Sequence, residues 1–549
     1  MELHADVIVV GSGMSGAFAA HELVSQGLKV LMIDVGHDDA ASRDAIPDLP
    51  FSDIIKNPVL SRSIFLGEDN EGIGTRGTRV GAQLTPPRHF ITRDTEKFLP
   101  YESKTFFPMQ SLALGGLGAG WGAACFTFDA DELHRCGIWQ PDFNTFYSKA
   151  TAIAGVSASH EEDTSDALEV DPQLLQPALD LDENNQSILN RYKTLRLSAR
   201  GPFTMGRIPL AILSRDREDG RRANPYFDMD FYSDARRSIF RPRYLIERLQ
   251  AEPNFQYSGK QLAKTVHDGG EFAEIRTHDV ETGEARAWRA RKIILCASAI
   301  NTARIVLTSL GHLGSKVPLL ANPYRYVVCL NWDTFGRSVA DRRHSMAQLL
   351  GMHRPPDNPK DLMAFQMYSY RSLLLFKLAK EFPLPPDLGF LFARTIVNSL
   401  SIVAVWHSAD QSTLSHAAIG RHDRDSGVPS LEFTYAIEPA RRKQIISREK
   451  HLRRFLRKLR LIPLRTVDTG PAGGIHYAGT LPSESQHFTA YTRSTGQVRA
   501  MPSVFVGDSS SWNFLPAKGL SFTLMANAIR IARHVAASIK ANTSDVRTS

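Results

Sequence analysis

The stretch that most constrains this chain lies near its start. It reads Asp6-Val-Ile-Val-Val-Gly11-Ser12-Gly13-Met14-Ser15-Gly16, then an alanine-rich helical segment, then Lys29-Val-Leu-Met-Ile-Asp34. Val7 to Val10 form a short β-branched apolar run, as expected of a parallel strand buried on both faces. Gly11 permits the tight turn out of that strand. Gly13 removes a side chain where backbone must approach a diphosphate, and Gly16 lets the next helix pack closely on the sheet. The unpaired N–H groups and positive end of a helix starting near Met14 then form an anion seat, making Ser12, Met14 and Ser15 candidate binding residues with the glycines. Asp34 ends the second strand 18 residues after Gly16, where a carboxylate accepts hydrogen bonds from a ribose. A glycine triplet alone is weak evidence. Strand, triplet, helix, strand and acid in one register predict a dinucleotide-binding βαβ unit.

With 549 residues the chain buries a large core and is expected to hold two domains, one discontinuous in sequence. No run of 18 uncharged apolar residues occurs, so no spanning helix is expected. A first strand beginning near Asp6 leaves no room for a secretory signal. Cys125, Cys136, Cys296 and Cys329 are scattered without CxxC or CxxH spacing. That argues against a structural metal site and for a reducing, cytoplasmic setting.

The net charge of +7 is uneven. Residues 441–465 carry Arg441, Arg442, Lys443, Arg448, Lys450, Arg453, Arg454, Arg457, Lys458, Arg460 and Arg465, with Ile445, Leu452, Phe455, Leu456 and Leu459 between them at helical spacing. One reading is a surface helix with a solvated basic face. The other is peripheral docking on an anionic membrane, where each basic residue adds about 1 kcal/mol. No nucleic-acid module accompanies the charge, so a nucleic-acid partner is not expected.

Three stretches read as one nucleotide-binding domain assembled from 1–130, 236–310 and 466–540. They are the βαβ unit; Arg291-Lys-Ile-Ile-Leu-Cys296-Ala297-Ser298-Ala-Ile-Asn301-Thr-Ala-Arg304; and Ser503-Val-Phe-Val-Gly507-Asp508 with the helix after it. Polar turns between Phe255 and Trp288 suggest a β-meander feeding the second stretch. Regions 131–235 and 311–465 are expected to form a substrate cap, and 541–549 a frayed polar tail. Within the cap, 368–398 is apolar and proline-punctuated. It reads as packed cap structure or as a greasy mouth for a hydrophobic substrate, a second place for membrane contact.

Four regions together resemble the glucose–methanol–choline (GMC) oxidoreductases: the βαβ unit; Leu114-Gly115-Gly116-Leu-Gly118-Ala-Gly120-Trp121-Gly122; the strand–helix at 293–304; and a C-terminal block. That block holds His476-Tyr-Ala-Gly479-Thr480, Val504-Phe-Val-Gly507-Asp508 and Lys518-Gly519-Leu520-Ser-Phe-Thr. The resemblance covers about half the chain and implies an α/β fold. The expected fold is a Rossmann-type FAD-binding domain of the p-hydroxybenzoate hydroxylase/GMC-like kind, capped by an α+β substrate domain on an antiparallel sheet. It implies oxidation of a CH–OH group of a small-molecule alcohol, either a sugar or a hydrophobic, lipid-linked one. FAD would take the hydride, and oxygen, a quinone or another carrier would reoxidise it. Gly120 stands where relatives with covalently held flavin use a histidine, so the FAD is expected to be noncovalent.

The same resemblance assigns roles. His476 matches a His-x-x-Gly-Thr element whose histidine faces the flavin, and imidazole suits a base because its pKa near 6.5 lies close to working pH. A second histidine or asparagine is expected about 11 residues beyond Asp508; here that position is Gly519, preceded by Lys518. Lys518 is therefore a candidate for electrostatic help, its alternative being a solvent-facing loop lysine. Gly115, Gly116 and Trp121 are expected to follow the flavin edge, Gly507 and Asp508 the ribityl or diphosphate region, and Gly519 with Leu520 the helix end at the flavin pyrimidine. Ala297, Ser298, Asn301 and Val266 are expected on the adenosine side, and His407 is a candidate for substrate binding. A non-redox lyase that keeps FAD structurally, and a degenerate flavin-binding interaction protein, are the competing readings. A simple NAD dehydrogenase fits the C-terminal return poorly.

Overall fold

Strand β1 (Ala5–Val10) and strand β2 (Val30–Ile33) flank helix α1 (Met14–Ser25) and pair in parallel, Val7 opposite Val30 and Val10 opposite Ile33. The computed structural model describes residues 3–40, 45–68, 72, 84–198, 201–376, 378, 385–422, 427–485 and 490–548. On its other side β1 pairs in parallel with the Ala285–Leu295 strand, which pairs in parallel with Met501–Val506; Phe255–Ser258 extends the sheet beyond β2. Stretches far apart in sequence thus meet in one sheet. The strands Gln261–Asp268 and Ala273–Asp279 join it as the antiparallel meander expected from the polar turns.

Both faces of this sheet are covered, which is why its strands are apolar throughout. Val7 and Val9 point to a core shared with Phe18 and Leu23 of α1 and with Met525, Ile529 and Ala532 of the C-terminal helix Ser521–Thr548. Ile8, Val10, Ile293 and Leu295 point the other way, onto Ala299, Ala303 and Val306 of the helix Ser298–Ser309. Removing a buried ring such as Phe18 costs about 3–5 kcal/mol. The C-terminal helix runs to Thr548, through the segment after Lys540 read from sequence as a frayed tail. Once its first turns are anchored in the core, each added residue contributes a hydrogen bond without a new nucleation cost.

A second, six-stranded antiparallel sheet runs in the order Leu461–Asp468, Tyr324–Asn331, Leu400–His407, Met363–Tyr368, Leu349–His353 and Phe203–Arg207. Side chains alternate across it. Val327, Cys329, Phe365, Val403 and Val405 face the helices Glu183–Ser198 and Pro439–Lys458 and pack on Ile188, Leu189, Leu452 and Leu456. Tyr324, Tyr326, Ala364, Tyr368, Ala404 and Trp406 form the opposite face.

The basic helix therefore spends its apolar stripe on this sheet. Ile445, Leu452, Leu456 and Leu459 are buried, and Arg448 is buried against Asp361, which Arg441 also contacts at 3.0 Å. Arg442, Lys443, Lys450, Arg454 and Arg457 remain exposed, an arrangement that matches the solvated-face reading. In 368–398, the helix Pro386–Ile396 exposes Leu388 and Phe392, while residues 377 and 379–384 lie outside the described residues. No helix among the described residues is long and apolar enough to cross a membrane.

Candidate active site

The turn after β1 is built for close approach. A Cβ on Gly11, whose φ is +98°, would lie 2.6 Å from the Cys296 carbonyl oxygen, and one on Gly16 would lie 1.8 Å from the Gly11 carbonyl oxygen. Gly13 is different: a Cβ there meets nothing nearer than 4.0 Å. Gly13 is the N-cap of α1, with no side-chain cap and no acidic residue in the first turn, so the helix presents free N–H groups and positive potential to open space. Ser12 ties three elements together. Its hydroxyl donates to Asp34 Oδ2 and accepts the Gly115 N–H at 2.9 Å. Burial pushes the Asp34 carboxyl up to about 7, with the Ser12 hydrogen bond opposing that rise.

These groups open into one cavity of about 310 Å³. Its wall takes Gly11 to Ser15 and Asp34 from the βαβ unit, Gly116, Gly118 and Trp121 from the glycine loop, and Ala297, Ser298 and Asn301 from the turn after Leu295. Asp508, Gly519 and Leu520 complete it from the C-terminal block. Trp121 is fixed by its indole N–H, which donates to Phe240 O at 2.7 Å. Ser298 holds a left-handed backbone with φ +75°, a conformation a non-glycine residue keeps only where its surroundings impose it. Asp508 accepts hydrogen bonds from Thr302 Oγ1 at 2.5 Å and Ser510 N at 2.9 Å, and burial raises its pKa.

His476 lines the same cavity. It follows Ile475, a β-branched residue at φ +56°, so the backbone is strained immediately before it. Its Nδ1 lies 3.0 Å from Asn322 Oδ1. The Asn322 amide nitrogen donates to His407 O at 2.8 Å and Pro516 O at 2.9 Å, which fixes the other amide atom as an acceptor. Nδ1 must therefore carry the hydrogen, leaving a lone pair on Nε2. Burial holds the imidazole down to about 4, so it is neutral near pH 7. A neutral imidazole with a defined free nitrogen can accept a proton, though its pKa of about 4 lies below the near-neutral value expected from sequence. Beside it on the wall are Trp406, Gln366 and Tyr368, the Trp406 ring centroid 6.2 Å from that of His476.

Several residues singled out from sequence sit elsewhere. Lys518 is neither a cavity group nor solvent-facing: it is buried, with Nζ 2.9 Å from Glu132 Oε2 and 3.0 Å from Thr127 O. Its charge is engaged there, so the electrostatic role considered for it is corrected to a structural ion pair. His407 falls on the opposite face of its strand from Trp406, 3.7 Å from Glu449 of the basic helix, and so does not line the cavity. Val266 packs into the sheet core with Ile275, while Leu262 and Ala263 of the same strand reach the cavity instead. Gly115, Gly120 and Gly507 lie behind the wall; a Cβ on Gly507 would meet Cys296 Sγ at 2.7 Å. At Gly519 the wall carries no side chain, and a Cβ would press on the Phe126 ring at 3.2 Å. Sequence reasoning missed Asn322, Gln366 and Gln110, which belong to no recognisable local motif, and passed over Arg304, the last residue of the strand–helix stretch read above, and Trp406, which stands beside His407.

No family model matches the chain. Two relatives align along nearly all of it. The protein named paromamine 6'-oxidase from Streptomyces fradiae is 23% identical over 557 residues, covering 97% of this chain and 91% of its own. The protein named 6'''-hydroxyparomomycin C oxidase from Streptomyces lividus is 24% identical over 579 residues, covering 98% and 92% respectively. The likeness supports an oxidoreductase.

Proposed function

We propose that this chain is an FAD-dependent oxidoreductase that oxidises a CH–OH group of a small-molecule alcohol, with His476 as proton acceptor. The observation that carries the reading is the single cavity. Its wall carries the uncapped terminus of α1, Asp34 and a neutral imidazole with Nε2 free. Buried polar atoms on its wall without a partner among the described residues supply the second support: Gln110 Oε1, Asn301 Oδ1, and Arg304 Nε and Nη2. Buried polar groups are normally satisfied, and each orphan costs about 1–3 kcal/mol. A large polar ligand along this wall relieves that cost. The two relatives, both named as oxidases, one of a hydroxylated substrate, agree with an alcohol hydroxyl as the reacting group.

These groups offer the chemistry that the parts of the cofactor call for. Gly13, Met14 and Ser15 would hold the diphosphate, Asp34 the ribose, and the N-terminus of the Ser521–Thr548 helix, reached through Gly519 and Leu520, the pyrimidine end. Bound noncovalently, FAD would supply the hydride acceptor. The chain's own part is to bind and orient the alcohol and to take its hydroxyl proton at His476 Nε2, with Asn322 holding the ring and its tautomer.

Purified protein should show flavin absorbance, and anaerobic addition of an oxidisable alcohol should bleach it. A colourless preparation that takes up no FAD would end the reading. Unbleached flavin across a panel of sugars and apolar alcohols would leave the cofactor assignment and remove the reaction.

A further inference from the structure

We propose that Trp406, with the Gln366–Tyr368 pair, forms a subsite that reads a second hydroxyl of the substrate, so that the enzyme selects a polyhydroxylated ring over an apolar alcohol. This rests on the reading of His476 as proton acceptor and extends it to substrate class.

Trp406 is 8% exposed, and its indole N–H has no acceptor among the described residues. Indole N–H groups are donors only and usually find a partner when buried. The ring lies nearly parallel to that of His476, with planes 23° apart and centroids 6.2 Å apart, and both rings line the cavity. Two hydroxyls of one sugar-sized ring can reach both. The neighbouring strand adds a second donor. Ala364 pairs with Trp406, so Gln366, two residues on, shares its face. Tyr368 Oη donates to Gln366 Oε1 at 2.9 Å, which leaves the Gln366 amide NH₂ as the group to offer a ligand.

This wall therefore presents the indole N–H and the Gln366 NH₂ as donors, while Tyr368 Oη keeps lone pairs that accept. A hydroxyl, which both donates and accepts, pairs with either. An apolar alcohol leaves the indole N–H desolvated and unpaired. Sites built to hydrogen-bond a substrate hydroxyl reject analogues lacking it by as much as about 10⁴–10⁵-fold.

The test compares wild type with Trp406→Phe, which keeps an aromatic ring and loses the N–H. A second variant is Gly474→Ala, whose methyl would stand 3.5 Å from Trp406 Nε1. Anaerobic flavin bleaching is read with a sugar, its deoxy analogue lacking the neighbouring hydroxyl, and a monohydric cyclic alcohol. Wild type should prefer the sugar by on the order of 10²-fold or more over the deoxy analogue and the monohydric alcohol. In Trp406→Phe that preference should collapse, chiefly through KM. A readout independent of turnover is the ¹⁵N–¹H indole resonance that Trp406→Phe deletes: it should shift with a non-oxidisable polyol and not with the deoxy compound. Bleaching without discrimination, or discrimination intact in both variants, overturns this proposal alone. Yellow protein bleached by no alcohol overturns the oxidation reading as well.

Discussion

Replacing His476 by asparagine isolates the nitrogen on which the chemistry rests. The asparagine amide keeps a donor for Asn322 Oδ1 and removes the basic Nε2. Enclosure lowers the His476 pKa from 6.5 to about 4, and at about 1.4 kcal/mol per unit this is roughly 3 kcal/mol of disfavour for the charged ring. The sign follows from linkage. The unfolded chain takes up the proton near pH 6.5 while the folded one resists it until about pH 4, so stability is intact above 6.5 and is lost as pH falls through that window. Thermal melts of wild type and His476→Asn should therefore keep a constant offset above pH 6.5 and converge, or cross in the variant's favour, by pH 4.5. Reduction of bound flavin by an alcohol at pH 7 should fall by about 10²–10⁴ in the variant with flavin retained. The wild-type rate should stay level down to about pH 5. A wild-type profile that halves near pH 6.5 would refute the enclosed, neutral ring, and a variant with undiminished reduction would refute the base.

Three further predictions test the rest of the site and the ion pair behind it. Gly13→Val should abolish flavin retention with unchanged far-ultraviolet circular dichroism, because its Cβ projects into open space at the α1 terminus and not into protein; a yellow variant would contradict the diphosphate seat. Asp34→Asn should weaken cofactor binding yet stabilise cofactor-free protein as pH rises from about 4 through 7. The wild-type carboxyl, held up to about 7, resists ionisation in that window at a cost of up to roughly 4 kcal/mol, and melts of the two proteins at pH 5 and 8 would show it. Lys518→Met should lose about 3–5 kcal/mol by stranding the buried Glu132 carboxylate, with turnover per bound flavin unchanged, and Lys518→Met with Glu132→Leu should recover much of the loss in denaturant titrations. Turnover that falls with Lys518→Met at equal flavin occupancy would return that lysine to the chemistry.

What could be read from sequence divides along a physical line: the range over which the governing interaction acts. The βαβ unit was legible because most of what its glycines, strand pattern and acid answer to lies within 34 residues; the structure adds the close approach of Cys296 to Gly11 and the Ser12 link from Asp34 to Gly115. Asn322 was invisible because its contact to His476 spans 154 residues and no local pattern marks it. Lys518 was misplaced for the same reason, its partner Glu132 lying 386 residues away. The error at His407 has another origin. Trp406-His407 ends a strand, and the two side chains of such a pair must face opposite sides. Composition favoured the histidine for chemistry, but parity is set by which face the rest of the strand buries. Val403 and Val405 already commit the odd positions to the packed helices, so the even-numbered tryptophan takes the cavity and the histidine the core. The polar group that reaches the candidate substrate space is thus chosen by the apolar residues that precede it in the strand, which is why Trp406→Phe and not a change at His407 is the variant expected to alter substrate preference.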